Sequence, residues 1–153
     1  MEREIELPYG TTTLKFHVPD ANLAGVYLPQ PVNACTDPAA EVVRALTHPL
    51  DTPPLSEIVQ PGEKVVVLVD DHTRATPVAQ ILPPLLNELR VGEVQDEDVT
   101  ILITHGTHRL SSDEEVRRKV GEDVYADYAD DGRLRIMQHQ CTDEQDQVYL
   151  GLT

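Results

Sequence analysis

Two short clusters contain the side chains that are most capable of chemistry. Asp71-His72-Thr73-Arg74 follows an aliphatic run at about 64–69, and His105-Gly106-Thr107-His108-Arg109 follows a second run at about 99–104. Uninterrupted aliphatic runs of this length predict strands that are buried on both faces of a sheet. Because open α/β proteins bind ligands at the carboxyl ends of parallel strands, we expect the two clusters to meet at one edge of the sheet.

The second cluster contains the candidate general acid or base, His108. An imidazole exchanges a proton near neutral pH, and Gly106 permits a turn that would bring the ring into a cleft. Two alternatives stay open for this cluster. It is a structural loop in which His105 bonds a backbone carbonyl, or His105 and His108, at the His-x-x-His spacing, hold the metal ion of a metal-dependent hydrolase.

The first cluster contains a candidate anion-binding residue, Arg74. Its guanidinium offers two parallel donors to a carboxylate or phosphate, and we expect the Asp71 carboxylate to hold it in place. The loop leads into a predicted helix, whose amino terminus also favours an anion. The alternatives are a plain polar loop, in which Asp71 caps that helix, and a non-catalytic domain that keeps Arg74 for anion binding.

The composition restricts the class of partner. A net charge of −15, from 12 basic and 27 acidic residues, argues against binding to nucleic acid or to an anionic membrane surface. Lysine occurs only at positions 15, 64 and 119, and its scarcity beside abundant Asp and Glu suggests a halophilic source. No apolar run is long enough to span a bilayer and no secretory signal is present, so we expect a cytoplasmic protein.

Alternating and β-branched residues predict the strands. Residues 1–31 read as an amino-terminal β-hairpin that residues 26–28 continue loosely. A third strand of the main sheet is predicted at 134–137, and another from residue 148. Together with the helices between them, these strands predict an α/β fold with a Rossmann-like, mainly parallel sheet and right-handed crossovers.

Capping residues and apolar periodicity predict the helices that flank this sheet. One helix should begin near Thr36 or Asp37 and end at His48-Pro49. A second should begin at Pro77 with Thr76 as its cap, and should persist with a kink at Pro83-Pro84. Ser112 opens a capping box for a helix over 112–120, and a short turn at 55–58 should cover the sheet.

The chain ends at Gly151-Leu152-Thr153, directly after an apolar segment and without a polar tail. We therefore expect it to stop within a fold, so that a carboxyl-terminal part of the same protein is missing. An interrupted sheet would leave an apolar patch near residues 148–150, or would make the chain self-associate.

With these clusters identified, the chain resembles the amino-terminal part of the nickel-dependent lactate racemase family. The resemblance lies in Asp71-His72-Thr73-Arg74 and Gly106-Thr107-His108-Arg109, each after a strand. It extends to Asp113-Glu114-Glu115 and to the opening Ile5-Glu6-Leu7-Pro8-Tyr9-Gly10. It implies that residues 1–153 form the amino-terminal α/β domain of a two-domain enzyme with its active site in the cleft between the domains.

The resemblance also implies a reaction. The family racemises or epimerises small 2-hydroxy acids by hydride transfer to a nickel pincer nucleotide, while two histidines alternate as acid and base. His108 would be one of those histidines. By the same match, Asp71, Thr73 and Arg74 would bind the cofactor, and Arg74 and Arg109 the small anionic substrate.

The remaining functional groups of the family have no counterpart within these 153 residues. The second catalytic histidine, the lysine that tethers the cofactor and the histidine that ligates nickel are all expected beyond residue 153. The resemblance therefore implies that this chain alone is catalytically incomplete. Ala75 and Leu110 stand where the family often has proline, and the change after His108-Arg109 would fit a 2-hydroxy acid other than lactate, because the family also contains racemases and epimerases of other substrates.

Overall fold

The computed structural model describes residues 1–10, 12–129, 132–142 and 148. The chain divides into two compact units, Met1–Ala34 and Cys35–Thr153. In the described residues, no helix is both long enough and apolar enough to cross a membrane.

The amino-terminal unit contains the predicted hairpin. Strand β1 (Glu2–Tyr9) pairs antiparallel with β2 (Thr12–Pro19), and Ile5 lies opposite Phe16. Gly10 turns the chain between them with a φ of +59°, which a glycine adopts without strain. Residues 26–28 form no strand, so the expected continuation of the hairpin is wrong.

The second unit is an α/β domain whose elements follow the predicted order. They are α1 (Pro38–Thr47), α2 (Leu55–Ile58), β3 (Val65–Asp70), α3 (Val78–Val91), β4 (Val99–Thr104), α4 (Asp113–Val120), α5 (Glu122–Ala129) and β5 (Arg135–Gln138). The sheet has the order β3-β4-β5, and both pairings are parallel. The prediction of a parallel sheet with flanking helices is therefore confirmed. The strand expected from residue 148 concerns Tyr149 and Leu150, which lie outside the described residues.

The helix ends show which capping signals act. The Asp37 carboxylate accepts a hydrogen bond from the Ala40 amide at the start of α1, and Ser112 forms the expected capping box with Glu115 at the start of α4. The predicted cap at Thr76 is wrong, because the helix begins at Val78 with Pro77 in the N-cap position and no side-chain cap. The Thr76 hydroxyl donates to Asp70 Oδ2 at 2.5 Å. Helix α3 runs continuously through Pro83 and Pro84. The short helix α2 packs on α3.

The helices cover the sheet on one face. Ile101 and Ile103 of β4 are fully buried on that face, where the apolar sides of α3, α4 and α5 form the core. On the opposite face, Val66 and Leu68 of β3 are 56% and 66% exposed. The prediction that this strand is buried on both faces is therefore wrong. The strand order explains the difference, since right-handed crossovers that advance in one direction place all their helices on the same face.

A pair of truncations should reveal this asymmetry. Ile101→Ala should lower the free energy of unfolding by about 2–5 kcal/mol, because it leaves a cavity in the core. Leu68→Ala is the matched control on the exposed face of the same sheet and should cost less than about 1 kcal/mol. Urea unfolding of both variants measures the difference. Equal losses would show that the Leu68 face is covered in solution.

Candidate active site

Parallel pairing of β3 and β4 brings the two polar clusters to the same edge of the sheet. Val69 lies opposite Ile103, and Asp70 lies opposite Thr104. The Thr104 hydroxyl donates to the Val69 carbonyl at 2.8 Å and fixes the two strand ends to each other. Asp71 and His105 are the next residues along each chain segment, so the shared edge predicted from the sequence is confirmed.

The centre of the site is the Asp71 carboxylate, whose side chain is 3% exposed. Its Oδ1 accepts hydrogen bonds from the Thr73 amide at 3.0 Å and the Thr73 hydroxyl at 2.6 Å. Its Oδ2 lies 2.5 Å from His108 Nδ1. Burial by itself would raise the pKa of Asp71, but the hydrogen bonds from Thr73 and His108 outweigh it and hold that pKa well below the ordinary range.

The contact with Asp71 determines which nitrogen of His108 carries the proton. An ionised carboxylate can only accept, so His108 Nδ1 donates and Nε2 is left to exchange a proton with a substrate. The His108 side chain is 44% exposed. The ring is presented by a tight turn in which the His108 amide donates to the His105 carbonyl at 3.0 Å, with Gly106 at a φ of +58°.

The guanidinium of Arg74 is exposed, and in the described parts of the chain no residue forms a hydrogen bond or an ion pair with it. The expectation that the Asp71 carboxylate holds this guanidinium is wrong, because Thr73 and His108 occupy that carboxylate. Only the Arg74 backbone amide contacts Asp71, donating to its carbonyl at 3.1 Å. Arg74 lines a cavity of about 450 Å³ together with Asp71, His105 and His108.

Arg109, unlike Arg74, is engaged within the protein. Its guanidinium donates to both carboxylate oxygens of Glu115 at 2.7 and 2.8 Å, and to the Leu110 carbonyl at 2.8 Å. The hydrogen bond from Arg109, together with that from the Ser112 amide, lowers the pKa of Glu115 well below its usual range. A substrate anion would have to displace Glu115 to reach this guanidinium.

Lys119 is a residue of the site that sequence reasoning missed. Its side chain is 6% exposed, and its Nζ lies 2.5 Å from Asp70 Oδ1. It also donates to the carbonyls of Arg74 at 3.0 Å and Thr76 at 3.3 Å, and thereby fastens the loop after β3 to helix α4. Burial by itself would raise the pKa of Asp70, but Lys119 and Thr76 lower it below its ordinary value. The spacing of Val116, Lys119 and Val120 already places this lysine on the buried face of α4.

A second layer of hydrogen bonds lies behind the cluster. His105 is buried and its Nε2 lies 2.9 Å from Gln138 Oε1 in β5. The Gln138 side chain bonds both backbone groups of Ser111, whose hydroxyl lies 2.8 Å from His72 Nδ1. All three strands of the sheet and the start of α4 therefore support the position of Asp71.

Three side chains of the site lie close enough together to be considered as metal ligands. One nitrogen or oxygen atom from each of them lies within 4.8 Å of the atoms from the other two, and the three residues are Asp71, His72 and His105. This set includes His105 but not His108, so it differs from the metal pair considered for a hydrolase. Asp71 is bonded to Thr73 and His108, His72 to Ser111, and His105 to Gln138. Each of the three side chains therefore already takes part in a hydrogen bond within the protein, and His105 does so through Nε2 and not through Nδ1.

The comparisons with known proteins all indicate the same family. A family model described as the lactate racemase N-terminal domain matches residues 9–153. A lactate racemase from Thermoanaerobacterium thermosaccharolyticum is 34% identical over 122 residues, which are 78% of this chain and 28% of that protein. One from Lactiplantibacillus plantarum is 31% identical over 149 residues, 96% of this chain and 34% of that protein. The chain thus spans about a third of the length of these relatives.

The fold is also found in a solved structure. The lactate racemase apoprotein from Thermoanaerobacterium thermosaccharolyticum matches 97% of this chain with a TM-score of 0.69 and 28% sequence identity. The match covers 33% of that protein.

The lowered pKa of Asp71 predicts how the free energy of unfolding depends on pH in acid. Because the folded state holds this carboxyl below its unfolded value of about 3.9, its stabilisation is present above that value and is lost as the pH falls. Asp71→Asn should lower the free energy of unfolding by about 1–3 kcal/mol at neutral pH. It should also flatten the loss of stability between about pH 5 and about pH 2. Urea unfolding across this range measures both effects.

The control is Asp51→Asn, which neutralises an exposed carboxylate outside the site. It should leave the pH dependence of unfolding as in the wild type. A pH dependence in Asp71→Asn as steep as in the wild type would contradict the assigned hydrogen bonds.

Proposed function

Because the chain belongs to the family of lactate racemase N-terminal domains, we propose that it is the amino-terminal domain of an enzyme that racemises or epimerises a small 2-hydroxy acid, lactate or a close analogue. The observation that supports this most is the hydrogen bond of 2.5 Å between Asp71 and His108. A general acid or base needs a defined tautomer and an accessible second nitrogen. A histidine held by a buried carboxylate at a cavity has both.

His108 moves the proton of the substrate hydroxyl in this proposal. Its Nε2 would accept the hydroxyl proton of one enantiomer as hydride leaves the carbon that bears the hydroxyl, and in the reverse direction it would donate a proton to the carbonyl oxygen of the oxidised substrate. Asp71 stabilises the imidazolium in the interval, because the carboxylate stays ionised and already accepts the Nδ1 proton. Inversion at the carbon needs a second such group on the opposite side, which we place beyond residue 153.

Arg74 binds the anionic group in this proposal. Its guanidinium lines the same cavity as His108 and can form two parallel hydrogen bonds with the substrate carboxylate or with a cofactor phosphate. Arg109 was also predicted to contact the substrate. Since the Nη1 and Nη2 groups that would form a bidentate pair already donate to Glu115, we assign it a bidentate role only in a state where Glu115 is displaced.

The residues at this edge of the sheet fit a nucleotide-type cofactor. In the described residues, the guanidinium of Arg74 has no hydrogen-bond or ion-pair partner, so its N–H donors can bind an anion. The cavity of about 450 Å³ is lined by polar groups that include Thr104 and Thr107. Of the three residues predicted to hold the nickel pincer nucleotide, Arg74 would contact it directly. Asp71 and Thr73 bond each other and His108, and would hold the loop that carries Arg74. The nucleotide, when bound, supplies a hydride acceptor and donor. We expect the tethering lysine and the nickel-ligating histidine beyond residue 153, in the remaining two thirds of a protein as long as the relatives. The active site of that protein would lie in the cleft between its two domains.

Replacing His108 tests this proposal in the complete protein loaded with cofactor. His108→Ala should lower the turnover number for lactate racemisation by about 10²–10⁴-fold, because general acid and base groups contribute that much. Bound nickel should not change, since the ring is not assigned to the metal. Chiral analysis of the product and metal content are measured together.

His17→Ala is the matched control, an exposed histidine in the amino-terminal hairpin, and it should leave turnover unchanged. Wild-type turnover in His108→Ala would refute the catalytic assignment. Loss of bound metal in both His108→Ala and His105→Ala would instead favour the metal-dependent hydrolase.

A further inference from the structure

His105 is a buried titratable residue to which the proposed reaction assigns no role. Its side chain is 0% exposed, and its Nδ1 lies 3.7 Å from Asp71 Oδ2. Among the described residues this Nδ1 has no hydrogen-bond partner. The same carboxylate oxygen accepts the hydrogen bond from His108. Asp71 therefore lies between two imidazoles.

The protonation of His105 Nε2 follows from the orientation of Gln138. The Ser111 amide can only donate, and it lies 2.8 Å from Gln138 Oε1. The Ser111 carbonyl can only accept, and it lies 3.2 Å from Gln138 Nε2. The side-chain amide is thus fixed in one orientation, so the atom that faces His105 Nε2 at 2.9 Å is an acceptor. His105 Nε2 must donate a proton to it.

Only two states of His105 remain once Nε2 carries a proton. In the neutral ring, the lone pair of Nδ1 lies 3.7 Å from an anionic oxygen in a buried site, which is repulsive. In the imidazolium, the positive charge lies at the same distance from that oxygen, which is attractive although the two atoms are beyond hydrogen-bond distance. The geometry of the carboxylate and the amide therefore favours the charged ring.

The charge of Asp71 leads to the same assignment. A buried carboxylate needs a cation nearby, and the ion-pair contacts of Asp71 in the described residues are with His105 and His108. The other basic groups close to the loop have acidic partners or are exposed. Lys119 pairs with Asp70, Arg109 and His72 lie against Glu115, and Arg74 is exposed.

We propose that His105 is a positioning residue that carries the positive charge compensating Asp71, so that His108 stays neutral and able to accept a proton. The proposal deepens the proposed function and rests on it only for the catalytic consequence. The assignment of charge itself concerns this chain alone. A neutral His108 with its proton on Nδ1 is the form that the reaction requires as a base.

Nitrogen-15 NMR of labelled histidine in the 153-residue chain at neutral pH tests this assignment directly. His105 should show two protonated ring nitrogens, and His108 should show a protonated Nδ1 and a bare Nε2. A bare Nδ1 on His105 would overturn the proposal. Two protonated nitrogens on His108 would overturn it as well, because the charge would not then reside on His105 alone.

His105→Gln tests the consequence, since glutamine keeps hydrogen-bonding capacity without a charge. The charge should move to His108, whose two nitrogens should both become protonated at neutral pH. In the complete protein, turnover should fall about tenfold or more at neutral pH and recover as the pH is raised, which mere structural damage would not produce. An unchanged His108 spectrum, or a loss of turnover that is equal at every pH, would contradict the proposal.

His17→Gln is the control for this substitution and should leave the spectrum of His108 and the pH profile unchanged. The wild-type spectrum remains a decisive test if His105→Gln fails to fold. The result that contradicts the proposed function is distinguishable from the result that contradicts the charge on His105. If the proposed function is wrong, the complete protein will not racemise 2-hydroxy acids even though NMR shows a charged His105 and a neutral His108.

Discussion

The structure of the site depends on one buried carboxylate, Asp71. Thr73 bonds one of its oxygens and His108 the other, so the loop after β3 and the loop after β4 are joined through a single side chain. Burial of an ionised group is costly unless its hydrogen bonds are complete. The surrounding layer of His105, Gln138 and Ser111 supports those bonds, and Lys119 fastens the loop from the other side.

The order of the three strands has a second consequence for the molecule. Because β3, β4 and β5 follow each other in one direction, right-handed crossovers place α3, α4 and α5 on a single face. The carboxyl edge of the sheet is then organised by polar contacts, while Val66, Leu68 and Met137 remain exposed on the other face. The candidate active site is therefore held in position by the parallel pairing of β3 with β4, and not by helices packed on both faces of the sheet.

Much of this arrangement could be predicted from the sequence, for identifiable physical reasons. The aliphatic run before Asp71 and the capping box at Ser112 are local signals, and both elements form where expected. The exposure of one face of β3 could not be predicted in the same way, because coverage depends on strand order, which a local pattern does not encode. The Thr76 cap failed because the helix begins one residue later than the sequence pattern indicates, with Pro77 in the N-cap position.

The site shows the same division between local and tertiary information. Residue types and spacing identified Asp71, His108 and Arg74 as neighbours, but not which of them is bonded. Asp71 binds His108, and Arg109 binds Glu115, because the ends of neighbouring strands and of α4 meet there in three dimensions.

The most direct test of the account is lactate racemisation by Asp71→Asn in the complete protein. An amide that donates toward His108 would place the proton on Nε2, so turnover should fall about 10²–10⁴-fold when variant and wild type are compared as folded protein at equal bound nickel. Wild-type turnover in that variant would contradict the central role of Asp71.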